Sequence, residues 1–275
     1  MTVIMLTIFA LTLLISLVFT INTVNFYNAL STNYGVTTTA QFPGYLEVAY
    51  LLGGILVFTG VMLLLIKYNL SKIIIAIFAI VSFLVLIEFF DVILSPLFFS
   101  ISQNLVLVSF VAAILLVVYY FKYGSKLGRN LINIMIFVTI ASAVGLTLGV
   151  LPSIILIAAI AIYDYIAVFV TKHMITLANA LVGKSFIGGI VFAGKRIKKG
   201  MIMLGGGDIV FPAIFIDALY LNYPPLASIL VLIGAVVGIS IILFFGKRNK
   251  AYPAMSIIAP AQIGFFGLYL LLTMI

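Results

Sequence analysis

The sequence has no cysteine, one histidine and very few charges. Without cysteine a disulfide framework is impossible, and cysteine usage carries no information on redox compartment. The lone histidine, His173, sits beside Lys172, and no His-Glu-x-x-His is present. That excludes a zinc protease site, which needs more ligands, and a Ser–His catalytic pair buried in a membrane, for which this histidine is at the wrong depth. Charged residues make up 7% of the 275 residues and hydrophobic residues 65%, whereas a typical soluble domain carries roughly 25% charge. A water-soluble enzyme could not cover that much apolar surface. Disorder is excluded as well, since it needs low hydrophobicity and high charge. The composition is that of an all-α, polytopic membrane protein.

A helical span needs about 20 apolar residues. Nine candidate spans follow along the chain, at 3–21, 48–66, 73–91, 103–121, 131–150, 153–171, 201–220, 226–246 and 253–274. The connection 22–47, rich in Asn, Thr and Tyr, is the longest polar stretch. In the other long connection, 172–200, Met174 to Leu181 is apolar enough to extend the sixth helix along the membrane surface. There is no short repeat and no second domain: 1–275 reads as one membrane domain, with spans one to five (1–150) a helical scaffold and 153–275 the half that carries the chemistry. The first span lacks the basic start of a signal peptide and reads as a retained helix.

The net charge is +8. Nucleic acid binding is not needed to explain it. All fourteen basic residues fall in even-to-odd connections: Lys67 and Lys72; Lys122, Lys126 and Arg129; Lys172, Lys184, Lys195, Arg196, Lys198 and Lys199; Lys247, Arg248 and Lys250. The positive-inside rule then puts the N-terminus in the cytoplasm and the C-terminus outside. The cluster at 195–199 reads as a flank attracted to anionic lipid headgroups.

Of the six acids, Glu47 lies at a span entrance. Glu88 and Asp91 lie at the outer end of span three, and Asp217 toward the outer end of span seven. All four read as solvated, interfacial or structural. Asp164 and Asp208 differ. Each is eight residues from the inner end of its span, counted from Lys172 and Gly200. At about 1.5 Å of rise per residue, both lie about 12 Å below the same boundary. Asp217 follows Asp208 by nine residues, half a helical turn out of phase, so those two face opposite ways. Ionisable groups inside a membrane are expensive and point to function. Two carboxylates at matched depth can share one proton. The ionised member can then take a proton from water while the neutral member polarises a carbonyl. That is aspartyl peptidase chemistry, without metal or covalent intermediate; the same pair could instead relay protons in a transporter.

Asp164 follows Tyr163. Asp208 follows Gly205, Gly206 and Gly207 and precedes Ile209-Val210-Phe211-Pro212. Three glycines before a buried acid point to a partly unwound helix start, which membranes tolerate only beside protein or a cavity. Tyr-Asp in one span and Gly-x-Gly-Asp in the next resemble the two active-site motifs of the presenilin and signal peptide peptidase family of intramembrane aspartyl proteases. The third motif, Pro-Ala-Leu, is matched by Pro253-Ala254-Met255, with Met a volume-conserving replacement for Leu. Pro260-Ala261-Gln262 fits that position less well. Val168, Phe169 and Thr171 behind the first motif, and the stretches Gly205–Ile216 and Pro253–Gly264, look more like signal peptide peptidase than presenilin. The resemblance is specific over spans six to nine; before that it rests on span count.

The resemblance implies a nine-helix, presenilin-like fold and cleavage of membrane-spanning segments, remnant signal peptides among them. Asp164 and Asp208 would form the dyad that activates water, with Tyr163 lining the site. Gly205 and Gly207, with Gly206 between them, would let Asp208 approach Asp164. Pro253, Ala254 and Met255 would shape the site and help hold substrate. The partners would be the bilayer and transmembrane helical peptides, with no cofactor. Helical substrates would have to unwind first, and an extended segment could pair with exposed backbone near the site. The short loops resemble a minimal prokaryotic, archaeal-type homologue in a plasma membrane. The charge-derived orientation resembles presenilin, so helices with their N-terminus outside would be preferred.

Three rival readings are open on the residues alone. A proton-coupled transporter would show related halves with broken helices in both, and spans one to five hold no second glycine-rich acid. A prepilin or preflagellin peptidase shares Gly-x-Gly-Asp but lacks the Pro-Ala element. A degenerate binding scaffold does not require both acids. The run Ala178–Ser185 approaches a phosphate loop but lacks its first glycine and a preceding strand.

Overall fold

The computed structural model describes residues 2–34, 44–68, 70–97, 103–171, 188–192, 202–245 and 252–274. A backbone in lipid must satisfy its own hydrogen bonds, so long apolar runs fold as helices. Among the described residues these are α1 (Thr2–Tyr34), α2 (Gly44–Lys67), α3 (Ser71–Leu94), α4 (Gln103–Val118), α5 (Lys126–Leu148), α6 (Val150–Tyr165), α7 (Gly207–Leu219), α8 (Pro225–Phe245) and α9 (Met255–Met274). Turns of π-helix at Tyr119–Tyr123 and Ile166–Val170 prolong α4 and α6. Among the described residues, eight helices are long and apolar enough to cross a membrane. The outward side chains are apolar too: Val57 of α2, Leu115 of α4 and Leu271 of α9 are each more than 60% exposed. Such a surface belongs in lipid, and the protein is an integral membrane protein.

Two expected boundaries are corrected. The polar 22–47 connection is not all loop, because α1 runs on to Tyr34. There Tyr27 reaches Glu88 of α3, donating its hydroxyl to Oε1 at 3.2 Å. The seventh span does not begin as a helix at 201. Residues Ile202–Gly205 form strand β2, which pairs antiparallel with β1 (Gly189–Phe192). The helix starts only at Gly207 and has 13 residues. The apolar run Ile202-Met203-Leu204 suits a strand as well as a helix, and pairing with β1 decides between them. The expected surface extension Met174–Leu181, His173 and the 195–199 cluster lie outside the described residues.

The short helix is the centre of the fold. α7 packs against α1, α5, α6 and α8, and Ile209 and Pro212–Leu219 are buried. A helix apolar on every side is an interior helix. Close packing around it is set by small residues. A Cβ at Gly145 of α5 would lie 2.8 Å from the Ile214 carbonyl oxygen of α7. Gly234 and Gly238, four apart on α8, bring α9 equally near: their Cβ atoms would lie 2.9 Å from the Ala261 oxygen and 2.8 Å from Ile258 Cα. Small residues four apart let membrane helices approach backbone to backbone. Between α5 and α6, Gly149 has φ 71°, a left-handed conformation that costs glycine nothing. It lets the two helices follow each other almost without a loop.

Candidate active site

Asp164 and Asp208 come together although one ends a helix and the other begins one. Asp164 is the penultimate residue of α6 and is buried, at 9% exposure. Asp208 is the second residue of α7 and is half-buried. The two carboxylates are close enough to interact through their charges. Tyr163 lies half-buried beside Asp164.

Residues 253–255 act on Asp164 from a third helix. Pro253 has a fixed φ and no N–H, and α9 begins just after it. Ala254 caps the helix, its carbonyl accepting from Ile257 at 3.1 Å and Ile258 at 3.0 Å. The first helical N–H, that of Met255, is thereby left without an intrahelical partner. It donates to Asp164 Oδ2 at 3.0 Å. A helix N-terminus carries partial positive charge and suits an anion. Next to it, Ser256 Oγ donates to the Ala161 carbonyl of α6 at 2.8 Å. Further along α9, Gln262 Nε2 donates to the Pro212 carbonyl of α7 at 3.0 Å. Thus α9 is fastened to both helices that carry the acids. Met255 is 2% exposed and Pro253 and Ala254 are buried. Sequence reasoning missed Ser256; a small hydroxyl directly after Pro253-Ala254-Met255 is the signal that marks it.

The three glycines before Asp208 have different surroundings. A Cβ at Gly205 would sit 3.0 Å from Asp208 Oδ2. One at Gly206 would meet the Phe137 ring at 2.8 Å and the Gly188 oxygen at 3.0 Å. One at Gly207 would meet the Phe211 ring at 3.3 Å. None has positive φ, since Gly149 alone among the described residues does. What they supply is room: for the carboxylate at 205, and for the close pairing of β2 with β1 at 206, whose N–H donates to the Gly188 carbonyl at 2.6 Å.

The ribbon places a peptide edge beside the carboxylates. On β1, Val191 exchanges two bonds with Asn130 of α5: its N–H donates to Oδ1 at 3.0 Å and its carbonyl accepts from Nδ2 at 2.9 Å. Asn133 Nδ2 donates to the Gly189 carbonyl at 2.8 Å. Val191 and Gly189 therefore face α5, and their partners across the ladder are Met203 and Gly205. Main-chain groups alternate along an antiparallel pair, so Met203 and Gly205 turn away from β1. The sheet has two strands among the described residues, and this outer edge of β2 ends at Gly205, whose amide lies against the carboxylate of Asp208, three residues on.

Asp217 is corrected. It was expected at an interface, but it is fully buried, and its Oδ2 accepts from Ser16 of α1 at 2.6 Å. The reason is the packing of α7 against α1, which brings Ser16 opposite it. As the helical phase predicts, Asp217 faces α1 and not Asp208. Among the described residues no three His, Cys, Asp or Glu side chains gather as a metal site.

Comparison with known proteins bears on the fold and the family. Residues 3–192 match the family model described as signal-peptide peptidase, presenilin aspartyl protease. That stretch includes Asp164 and stops short of Asp208. No curated protein sequence matches the chain. Among solved structures, a presenilin family intramembrane aspartate protease in space group C222 is similar with a TM-score of 0.71 at 20% identity, over 97% of this chain and 99% of that one. A presenilin family intramembrane aspartate protease in space group P2 is similar with a TM-score of 0.67 at 22% identity, over 96% of each chain. The fold is therefore presenilin-like, and with more than half of its length matched by the family model, the chain belongs to the signal-peptide peptidase and presenilin family of aspartyl proteases.

Proposed function

We propose that this aspartyl protease hydrolyses peptide bonds in transmembrane segments, with Asp164 and Asp208 as the acting pair. Like charges held close cannot both ionise easily, so the pair keeps one proton. The ionised carboxylate takes a proton from a water molecule as the water oxygen attacks the scissile carbonyl carbon. The neutral carboxyl hydrogen-bonds the carbonyl oxygen, where negative charge develops. Collapse of the tetrahedral species breaks the C–N bond, and the amine leaves with a proton from the pair. The hydrogen bond donated by the Met255 N–H to Asp164 steadies one carboxylate in the process.

The observation that carries this reading is the β2 edge beside the two acids. A segment unwound from its own helix exposes N–H and carbonyl groups that lipid cannot satisfy. Strand addition along the Met203 main chain and the Gly205 carbonyl satisfies part of them and delivers the main chain to Asp208. Proton transport has no use for such an edge. Tyr163 lines the site, and Pro253, Ala254 and Met255 shape its substrate side. The basic residues favour a cytoplasmic N-terminus and an outer C-terminus, in a prokaryotic plasma membrane, with remnant signal peptides among the substrates and a preference for helices whose N-terminus lies outside.

The test is incubation of the purified protein with a labelled transmembrane peptide. Cleavage is expected for the unaltered chain and none for Asp164→Ala or Asp208→Ala, with each variant still inserted. Turnover surviving in either variant rejects the dyad. Tags that place the 172–200 connection outside reject the orientation.

A further inference from the structure

A β-ribbon has two edges, and an extended substrate can in principle add to either. In this protein one edge is already occupied, by side chains. Asn130 presents an amide plane whose Oδ1 and Nδ2 meet the N–H and carbonyl of Val191 at 3.0 and 2.9 Å, the two bonds a neighbouring strand would make. Asn133, one helical turn further along α5, takes the Gly189 carbonyl at 2.8 Å and is 1% exposed. The spacing of 130 and 133 puts both amides on one face of α5. The polar groups of β1 recur every second residue, so a helical step of three meets a strand step of two.

Helix-borne asparagines are expensive in a bilayer unless bonded. Much of their cost is met here by strand β1, which takes both amide groups of Asn130 and the Nδ2 of Asn133. The bonds also fix the strand along its own axis. Val191 is held at both its donor and its acceptor, so β1 cannot slide by two residues, the shift that would keep its side chains on the same faces. β2 is registered on β1 by the Gly189–Gly205 to Phe192–Ile202 pairs. The position of β1 therefore sets where the outer edge of β2, and the chain it leads into at Asp208, stands relative to α5.

We propose that Asn130 and Asn133 are positioning residues that act as a substitute strand: they close the β1 edge, lock the ribbon to α5, and so determine which peptide bond of the substrate is cut. The inference rests on the reading of this chain as a protease that takes its substrate as an added strand. Neither asparagine touches substrate. Both act through the ribbon, so their loss changes the place of cutting more than the capacity to cut.

The experiment maps the products of one transmembrane peptide by mass spectrometry, for the unaltered chain and for Asn130→Ala, Asn133→Ala and Asn130→Gln. Asn130→Ala removes both bonds to Val191 and is expected to raise the share of products cut two residues from the main site by roughly five- to a hundredfold, the range two lost hydrogen bonds give. Asn130→Gln, which keeps both amide groups on a longer arm, restores part of the main product. A merely structural asparagine would lower all products together, in proportion to folded protein. An unchanged product pattern in folded Asn130→Ala overturns the proposal. A measurement on the unaltered chain guards against variants that do not fold: the Val191 amide is expected to exchange slowly with deuterium, as if inside a sheet, and fast exchange there also overturns it. If the unaltered chain makes no Asp-dependent product at all, the protease reading fails instead.

Discussion

The main-chain N–H of Met255 donates to Asp164 Oδ2 at 3.0 Å across 91 residues of chain. One proline explains why this is possible. Pro253 stands outside α9 and cannot continue a helix backward, so α9 begins where its first free N–H meets the end of α6. The Pro-Ala pair therefore acts through where it starts a helix, and its neighbour Ser256 secures that start to Ala161.

Ser256→Ala removes the Ser256–Ala161 bond while leaving the Met255 amide in place. One such bond contributes about 1 kcal/mol. If it aligns Asp164, kcat for a transmembrane peptide falls about fivefold, while the thermal midpoint of the detergent-solubilised protein changes little. A loss seen only in stability would make Ser256 an ordinary helix tie.

Gly206→Ala and Gly207→Ala are expected to differ. At 206 the new Cβ meets an aromatic ring at 2.8 Å and a carbonyl at 3.0 Å; at 207 it meets only the Phe211 ring, at 3.3 Å. Overpacking of the first kind costs about 1–3 kcal/mol and forces β2 off β1. Peptide cleavage should fall more than tenfold in Gly206→Ala and stay within a few-fold in Gly207→Ala. Equal losses would mean that flexibility, not space, is what the glycines provide.

Met203→Pro tests the open edge. Its N–H faces away from β1, and proline is tolerated in a strand where the missing donor points outward. The variant should fold with a near-normal thermal midpoint and show a raised KM for the peptide. Leu204→Pro, which removes a donor facing β1, should instead destabilise the ribbon itself. Unaltered kinetics in Met203→Pro would argue against strand addition.

Asp217→Ala leaves the Ser16 hydroxyl without its buried acceptor, at a cost of about 1–3 kcal/mol. A lowered thermal midpoint is expected, with cleavage retained. Asp217→Asn keeps an acceptor oxygen for Ser16 and should unfold close to the unaltered chain. Abolished cleavage in Asp217→Ala at an unchanged midpoint would place this acid in the reaction.

Eight spans were legible because lipid imposes one solution on a long apolar run. The acid pair was legible because two charges at one depth in that solvent have few innocent explanations. The start of α9 was legible through Pro253. The ribbon was not. Ile202-Met203-Leu204 reads equally well as a helix start, and its strand character comes from partners at 189–192 and, behind them, Asn130 and Asn133, far apart in sequence. The burial of Asp217 was hidden for a related reason. Position along a span gives a residue's depth, but only the packing of α1 against α7 places Ser16 opposite Asp217. α1 passed the polar residues after position 21 as a helix because Tyr27 finds Glu88 there, a contact no local pattern reveals.

At about 1.5 Å per residue, the 13 residues of α7 measure about 20 Å, against a hydrocarbon thickness of about 30 Å. The residues before it, Ile202–Gly205, run as strand β2 and not as helix. A strand leaves main-chain groups along the side turned from its partner, and oil rejects what moisture welcomes. A helix cut short and continued by a ribbon thus gives the Asp208 end a hydrophilic approach, which a reagent drawn from solvent requires.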